Sequence, residues 1–235
     1  MKILLGLILC LIFQGIFLES SFALVDSNVR EFLENRVNQW PELYLPNFKL
    51  SDTSKDLIYP KWFEGNWLVT SQDIINDSEE PIIYKVNFFK NDSDLIVGNR
   101  AKNSESIGKA IFGDTLIKVV NDPQSFNNQI TYLKDDFYID SRITGRHQIQ
   151  DDDIFFADEL AIQTAHKPGA SRINQVETIS KFQKCSEQIS EVNNSIKPSI
   201  CGVQYVASYG SKVGDPSVRS IKTSKYKLTF KFIGS

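Results

Sequence analysis

Residues suited to metal binding and acid–base catalysis are scarce in this chain. Its 235 residues include only 2 histidines, His147 and His166. No HxH, HExxH or CxxC motif lies beside either of them, and the chain has no GxSxG, no phosphate-binding loop and no GxGxxG after a predicted strand. The sequence therefore predicts no metal site, no catalytic residues and no cofactor, and an enzyme is the less favoured class.

A basic segment is also missing. Lys and Arg number 26 against 29 Asp and Glu, for a formal net charge of −3, and no block of basic residues interrupts the sequence. Nucleic acid binding depends on such blocks, because contacts to the phosphate backbone supply much of the affinity. We therefore expect no nucleic acid partner.

The N-terminus has the pattern of an export signal. A basic start precedes an almost unbroken apolar run over residues 3–13, and Ser21 and Ala23 place small residues at positions −3 and −1 of a cleavage site. We expect residues 1–23 to be a signal peptide, so that the mature protein is exported and is not an integral membrane protein. The alternative is an uncleaved anchor helix, although the apolar run is short for a span of about 20 residues.

Cysteine is rare, and cleavage would leave only Cys185 and Cys201 of the 3 cysteines. An even pair in an exported protein is typical of a disulfide bond. Closing the loop between them would stabilise the fold by about 3 kcal/mol. The alternative is two unpaired buried thiols.

The sequence predicts two helices. Residues 24–56 contain an N-terminal helix and a linker, and Pro41 ends an apolar face with helical spacing. We expect this helix to pack across the mouth or an edge of the domain that follows. A short inserted helix would be capped by Asn103 or Ser104 and ended by Gly113. The apolar face of the first helix consists of Val29, Phe32, Leu33, Val37 and Trp40.

Residues 57–235 have the alternating pattern of a single β domain. The first clear strand follows Gly65, with Trp67, Val69 and Ser71 on one side. Similar runs recur at intervals of about 8–12 residues, separated by turn-forming residues. The pattern predicts an all-β fold, an antiparallel β-barrel of about 8–10 strands that closes on itself and so exposes no edge strand.

Arginines on the predicted strands are the best candidates for polar ligand contacts. Arg142 and Arg146 share one face of a strand by simple alternation, and Arg100 ends another predicted strand. If they point inward, these charges need carboxylate partners or an anionic ligand group, which the guanidinium fork suits. The alternatives are a solvent-facing position or a structural pair with Glu159 or Glu177.

Gly65-Asn66-Trp67, which follows a helix and a turn at the entry to the first strand, resembles the G-x-W signature of the calycin superfamily, which includes the lipocalins. The resemblance implies a barrel in which Trp67 closes one end and stacks under a cation from a late strand. Arg219, Lys225 or Lys227 could supply that cation. Trp67 is then a core residue or, as the less favoured interpretation, a ligand contact.

A longer set of motifs is similar to an uncharacterised family of exported cyanobacterial proteins and plastid relatives of the thylakoid lumen. The similarity covers roughly residues 57–233 and implies a location in the periplasm or the thylakoid lumen, but it brings no established activity. The motifs, in order, are Pro60-Lys61-Trp62-Phe63-Glu64-Gly65-Asn66-Trp67, Asn99-Arg100-Ala101, Ile107-Gly108-Lys109-Ala110, Gln129-Ile130-Thr131-Tyr132-Leu133, Thr144-Gly145-Arg146 and Gln175-Val176-Glu177-Thr178.

Three functions are consistent with these features. The leading hypothesis is a non-enzymatic exported protein that binds a small hydrophobic or amphipathic ligand, such as a pigment, lipid or tetrapyrrole. Its candidate contacts are Arg100, Arg142, Arg146 and Trp67. The alternative is a scaffold or assembly factor that docks on a thylakoid or envelope membrane complex.

The weakest hypothesis is a chromophore-lyase-like enzyme, suggested by the bilin lyases among calycin barrels, which are not usually exported. The interior of the barrel separates the first two functions. An apolar cavity of about 300 Å³ or more favours ligand binding. A solid interior under an exposed apolar patch of several hundred Å² favours docking.

Overall fold

The computed structural model describes residues 27–48, 55–76, 79–189 and 196–234. Helix α1 spans 27–39 and helix α2 spans Arg100–Phe112. The predicted signal peptide, with its alternative of an anchor helix, lies outside the described residues. The strands are β1 (Ile58–Tyr59), β2 (Gly65–Asp73), β3 (Ile82–Lys90), β4 (Ile96–Gly98), β5 (Leu116–Asp122), β6 (Ser125–Leu133), β7 (Tyr138–Gln150), β8 (Ile154–Lys167), β9 (Ala170–Ile189), β10 (Ile196–Tyr209) and β11 (Lys222–Gly234).

These strands form one antiparallel sheet in the order β1-β4-β3-β2-β11-β10-β9-β8-β7-β6-β5. The prediction of an all-β, barrel-like antiparallel fold is confirmed, with 11 strands where about 8–10 were expected. The last strand lies beside the first long one, so that Phe232 pairs with Trp67. Within the described residues β1 and β5 are the two ends of the sheet and do not pair with each other. The sheet is therefore a curled half-barrel and not the closed cylinder that we expected.

The central strands are covered on both faces, and β8 shows this most clearly. Phe155 and Ala157 belong to the core inside the curl, whereas Phe156 and Leu160 belong to a second core on the outside. Alternation along a strand sends successive side chains to opposite faces. A run of apolar residues without polar alternation therefore indicates a strand that is buried on both sides.

Helix α1 supplies the cover for the outer face. Leu33 is fully buried and lies in one cluster with Phe156 and Tyr209. The expectation that this helix packs across a barrel mouth or edge is therefore wrong. Its apolar stripe meets the convex face of the sheet because β7 to β10 present a second row of apolar side chains there. No helix within the described ranges is long and apolar enough to cross a membrane.

Helix α2 starts earlier than the sequence predicts. Asn99 caps it by accepting from the backbone N–H of Lys102, so Arg100 begins the helix and does not end a strand. Asn103 instead ties the helix to β3, since its side chain accepts from Asn87 N at 2.8 Å and donates to Asn87 O at 3.0 Å. Gly113 ends the helix as predicted.

The predicted disulfide is present. Cys185 and Cys201 are bonded, with their Cα atoms 5.6 Å apart, across neighbouring strands β9 and β10. This confirms the pairing that the two remaining cysteines indicated.

Candidate functional site

The curl of the sheet encloses a cavity of about 180 Å³, which is the candidate site. Its walls come from β3 on one side and from β8, β9, β10 and β11 on the other, and α2 covers part of it. Strands this far apart in the sheet order meet only because the sheet curls. The apolar lining is Leu57, Phe63, Val86, Phe88, Ile107, Phe155, Ala157, Phe182, Leu228 and Phe230, and the polar lining is Tyr59, Tyr84, Asn103, Glu159, Thr178, Ser180 and Gln204.

Aromatic rings build the apolar end of the cavity. The ring of Phe63 lies 4.9 Å from Phe88, 5.6 Å from Phe182 and 6.0 Å from Phe230, each in an edge-to-face arrangement. Such pairs contribute beyond the area that they bury. Burial raises the pKa of Tyr84, also on the wall, to about 12, so its hydroxyl stays protonated and neutral.

Trp67 lies behind this wall. It is fully buried, its Nε1 donates to Phe63 O at 2.6 Å, and its ring packs against Phe230 and Phe232. Among these rings Phe63 and Phe230 line the cavity. The indole therefore supports the wall, as a core residue does.

Two of the three late-strand cations that could have stacked on Trp67, Arg219 and Lys225, have other partners, and the third, Lys227, lines a groove on the outer face of the sheet. Arg219 pairs with Glu42 at 2.7 Å. The Nζ of Lys225 lies over the rings of Trp40 and Tyr205 on the outer face.

One polar group on the cavity wall, Glu159, is the centre of a buried charge cluster. Its Oε1 accepts from Arg100 Nη2 at 3.0 Å, from Arg146 Nε at 2.9 Å and from Arg146 Nη2 at 2.5 Å. Arg100 Nε also donates to Asp56 Oδ1 at 2.8 Å. We call Asp56, Arg100, Arg146 and Glu159 the closure cluster, because it connects the two sides of the curled sheet.

The closure cluster joins the segment before β1 to strands β7 and β8. Arg146 donates to the backbone oxygen of Lys55 and to Asn127 Oδ1. Next to it, the side chain of Gln148 accepts from Ile58 N and donates to Ile58 O, both at 3.0 Å. The amide of Gln148 thus pairs with β1 as a neighbouring strand would. Side chains therefore close the curl where the backbone ladder does not.

A β-bulge puts Arg146 in this position. The ladder pairs Ile143 with Ala161 and Gly145 with Leu160, which leaves Thr144 as an extra residue. A bulge shifts the alternation of side chains by one.

The shift separates the two arginines that alternation placed together. Arg142 is exposed on the outside, whereas Arg146 is buried inside and pairs with Glu159 in the ladder. The prediction that Arg142 and Arg146 share one face is wrong for this reason. Gly145 is required beside the bulge, because a Cβ there would overlap the ring of Phe48.

Charge balance fixes the protonation of the closure cluster. Burial alone would raise the pKa of Glu159, but the attraction of Arg100 and Arg146 outweighs it and the pKa is lowered. Burial opposes the charge of Arg100 as well, and Glu159 and Asp56 raise its pKa nonetheless. The cluster therefore sets two guanidinium groups against two carboxyl groups, and Glu159 among them is ionised at neutral pH.

A second buried cluster fastens α1 to the outer face. Arg36 donates to both oxygens of Glu177, at 2.7 Å and 2.5 Å, and to the hydroxyl of Tyr209 at 3.0 Å. Tyr209 in turn donates to Glu177. Asp158 is fully buried beside them. We call Arg36, Asp158, Glu177 and Tyr209 the anchor cluster.

The anchor cluster has one carboxyl more than it has cations. Burial, followed by repulsion from Glu177, raises the pKa of Asp158 well above its ordinary value. Neither oxygen of Asp158 accepts a hydrogen bond from the described residues. A proton on Asp158 turns this carboxyl into a donor, with Glu177 as the neighbouring acceptor.

His147 and His166 are held apart from each other by the fold. His147 packs between Phe32 and Phe48 under α1, and burial lowers its pKa. His166 stacks on Tyr138 near the far end of β8. In the part of the chain that the structure describes, no group of three or more His, Cys, Asp or Glu side chains is arranged to hold a metal ion.

The structure brings together two of the predicted site residues. Arg100 and Arg146 meet at Glu159, the pairing that the structural interpretation expected, whereas Glu177 pairs with Arg36 instead. Trp67 stands behind the cavity wall and Arg142 faces solvent. Whether any of them contacts a ligand stays a prediction.

Sequence reasoning missed Asp56, Gln148 and most of the anchor cluster; it named Glu177, but as a partner for other arginines. One signal was available in Phe155-Phe156-Ala157-Asp158-Glu159-Leu160-Ala161, where two acids sit within an apolar run. Acids in a strand that is buried on both faces must be paired or protonated. That pattern could have predicted one buried carboxyl on each face.

The fold and the site define the class of protein: a curled antiparallel half-barrel with an inner cavity and a cluster of side chains that joins the segment before β1 to β7 and β8. Residues 52–233 match the model of a family described as a domain of unknown function, DUF6816, and the chain belongs to that family. No curated protein and no solved structure is significantly similar to the chain.

Proposed function

We propose that this protein is a non-enzymatic, exported binding protein that holds a small hydrophobic or amphipathic molecule in its inner cavity, in the periplasm or the thylakoid lumen. The observation that carries the proposal is the cavity itself, with aromatic rings at one end and polar groups at the other. Cavities of this mixed character inside a curved sheet are typical ligand sites. The disulfide supports an oxidising compartment.

The volume supports a ligand about the size of a single ring. The cavity holds about 180 Å³, which is below the volume of about 300 Å³ that we expected to favour ligand binding, but an apolar cavity of about 150 Å³ is enough to bind benzene. A whole pigment, lipid or tetrapyrrole needs a pocket of about 300–1,000 Å³. Such a ligand would require α2 to move, because Asn103 and Ile107 of that helix line the cavity.

The charges support a ligand that donates hydrogen bonds. The guanidinium groups of Arg100 and Arg146 are already satisfied by Glu159 and Asp56. The Oε2 of Glu159 accepts no hydrogen bond from the described residues, and Glu159 lines the cavity. A hydroxyl or amide group on the ligand fits this acceptor, whereas a carboxylate or phosphate would face a carboxylate.

Native mass spectrometry of the protein purified from its own host tests the proposal. We expect a small bound mass on the wild type that is absent from Ala157→Leu, which fills the cavity from β8. Ala165→Leu, at the far end of the same strand, is the matched control and should keep the mass. An unliganded wild-type mass, together with no binding of added phenol, would contradict the proposal.

A second candidate function is docking on a membrane complex as a scaffold or assembly factor. The specific observation is a group of exposed apolar side chains where α2 ends and β5 begins: Ile111, Phe112 and Ile117 are 55%, 41% and 57% exposed. Exposed apolar groups in a cluster are typical of interaction sites. If docking is the function, Phe112→Ser with Ile117→Ser should abolish cross-linking to membrane complexes in the host and leave the bound small mass unchanged.

The chromophore-lyase alternative has the least support. It requires an acidic or nucleophilic group inside the cavity, and Glu159 is the carboxylate on the wall. Because its pKa is lowered, Glu159 is ionised at neutral pH and is a poor proton donor.

A further inference from the structure

We propose that the outer face of β9, β10 and β11 carries a second binding site, for a soluble single-chain amphiphile with one anionic head group. A groove of about 330 Å³ lies there, on the opposite side of the sheet from the inner cavity and beside the end of α1. This volume is within the usual range for ligand pockets, roughly 300–1,000 Å³. We call it the outer groove; its walls include Ile74, Lys181, Val203, Tyr205, Lys225 and Lys227.

The register of the sheet sets three lysines around an apolar floor. Val203 pairs with Lys227 of β11 on one side and with Lys181 of β9 on the other, so the three form one row. Adjacent strands lie about 4.8 Å apart, which places the two lysines roughly 10 Å from each other across Val203. Tyr205 pairs with Lys225 in the next row on the same face. An apolar chain can lie on Val203 and Tyr205 with its head group among the ammonium groups.

The charge of these lysines is not neutralised by the fold. None of the three has a carboxylate within ion-pair distance among the residues that the structure describes. Lys225 Nζ lies 4.9 Å from the ring centroid of Tyr205, and Lys181 Nζ lies 5.3 Å from that of Phe156. The first contact lies within the groove and the second at its margin towards β8, and both leave the positive charge in place. An anion is the complementary partner.

The acids in the neighbourhood lie at the margin of the groove. Glu34 of α1 lines an adjoining hollow that it shares with Lys181. Among the residues that the structure describes, no carboxylate lines the groove, and Gln183 adds an amide to its polar lining. The concave shape and the limited volume favour a single chain over a broad macromolecular surface.

Calorimetric titration with decanoate, below its micellar concentration, tests the proposal. We expect saturable binding to the wild type that weakens as salt is added, because the contacts are exposed charges. Lys181→Gln with Lys227→Gln should raise the Kd roughly five- to tenfold, since two exposed charge contacts of modest strength are lost. Both lysines are exposed, so the double variant should fold, which circular dichroism checks.

Lys118→Gln is the matched control. Lys118 Nζ also lies over a tyrosine, 5.0 Å from the ring of Tyr132, but on the other arm of the sheet. Its removal should leave the Kd unchanged, and decanol should bind more weakly than decanoate. Ala157→Leu, which fills the inner cavity, should still bind decanoate, so the outcome is independent of the proposed inner ligand.

Several results would overturn the proposal. They are the same Kd for the wild type and the Lys181/Lys227 double variant, an equal loss in Lys118→Gln, or loss of decanoate binding in Ala157→Leu. Lysine-dependent co-sedimentation with phosphatidylglycerol vesicles, without binding of monomeric decanoate, would replace the amphiphile by a membrane surface. Lysine-dependent binding of a poly-glutamate peptide alone would replace it by an acidic protein segment.

Discussion

The closure cluster and the anchor cluster both bury arginine against carboxylate, on opposite faces of the sheet at β8, yet they balance charge differently. Inside the curl, Arg100 and Arg146 face Glu159 and Asp56, so each charge has a partner. Under α1, Arg36 alone faces Glu177 and Asp158. The first cluster reaches neutrality by ion pairing, and the second needs a bound proton. Above the ordinary pKa of a carboxyl group, sensitivity to pH should therefore arise at α1, whereas the lowered pKa of Glu159 contributes stability that is lost only at acid pH.

The largest effect is expected when the anchor cluster loses its cation. Arg36→Met leaves Glu177 buried without its bidentate partner, and breaking such a pair costs about 3–5 kcal/mol. Urea unfolding measures the loss. Arg30→Met is the control on the same helix: Arg30 pairs with Asp151 at 3.7 Å, both about half exposed, and its loss should cost less than about 1 kcal/mol. Equal losses in the two variants would remove the distinction between buried and exposed pairs.

The closure cluster should respond almost as strongly. Glu159→Gln leaves Asp56 as the one carboxylate of the cluster, set against both Arg100 and Arg146. We expect the free energy of unfolding to fall by about 3 kcal/mol. The amide of Ile58 should also exchange hydrogen faster, because the segment before β1 is no longer held by Arg146. Arg142→Gln, exposed on the same strand, should stay within about 0.5 kcal/mol. If Arg142→Gln loses as much stability as Glu159→Gln, the assignment of Arg142 to the outer face and Arg146 to the inner face is incorrect.

A pH titration separates the two clusters most sharply. With its raised pKa, Asp158 holds a proton in the folded state that the unfolded chain has released, so its contribution to stability is fully present below the unfolded-state pKa and is lost as pH rises through the folded-state pKa. The slope is about 1.4 kcal/mol per pH unit between the two pKa values. The stability of Asp158→Asn should therefore increase relative to that of the wild type as pH rises. Urea unfolding of both proteins from pH 5 to 9 measures this difference.

His147 is the cross-strand partner of Asp158 and titrates below its usual pKa because of burial. Its contribution is common to the wild type and Asp158→Asn and cancels to first order in their difference. A difference that does not change with pH would show that Asp158 is ionised, and the anchor cluster would then resemble the closure cluster.

The smallest effect is expected at Gln148, whose side chain pairs with β1 in place of a neighbouring strand. Gln148→Ala removes two hydrogen bonds to Ile58, each with a net contribution of about 0.5–1.5 kcal/mol. We expect a loss of about 1–2 kcal/mol and faster exchange at Ile58. Gln150→Ala, exposed on the same strand, should change neither quantity.

The fold class could be predicted because its signals are local. Gly65, Trp67, Val69 and Ser71 of β2 are all buried, as their alternation indicated. The disulfide also needed only the export signal and the count of cysteines.

The arrangement of the site could not be predicted, because it depends on a single extra residue and on long-range packing. The bulge at Thr144 reverses the faces of Arg142 and Arg146, and nothing in an alternating strand marks the residue at which a bulge falls. The closure of the curl depends on Gln148 and Asp56, which look like ordinary surface residues in the sequence. Helix α1 has the same apolar stripe whether it covers a barrel mouth or a convex face, so its position had to come from the structure.

Xenon-pressurised crystal diffraction of the protein tests most directly whether side chains close the curl around a real cavity. Xenon occupies enclosed apolar space of this size. We expect a xenon atom among Phe63, Phe88 and Phe182. In the same map, Glu159 should lie between the guanidinium groups of Arg100 and Arg146. An interior without xenon, with the two guanidinium groups turned to solvent and Ile58 apart from Gln148, would contradict this account.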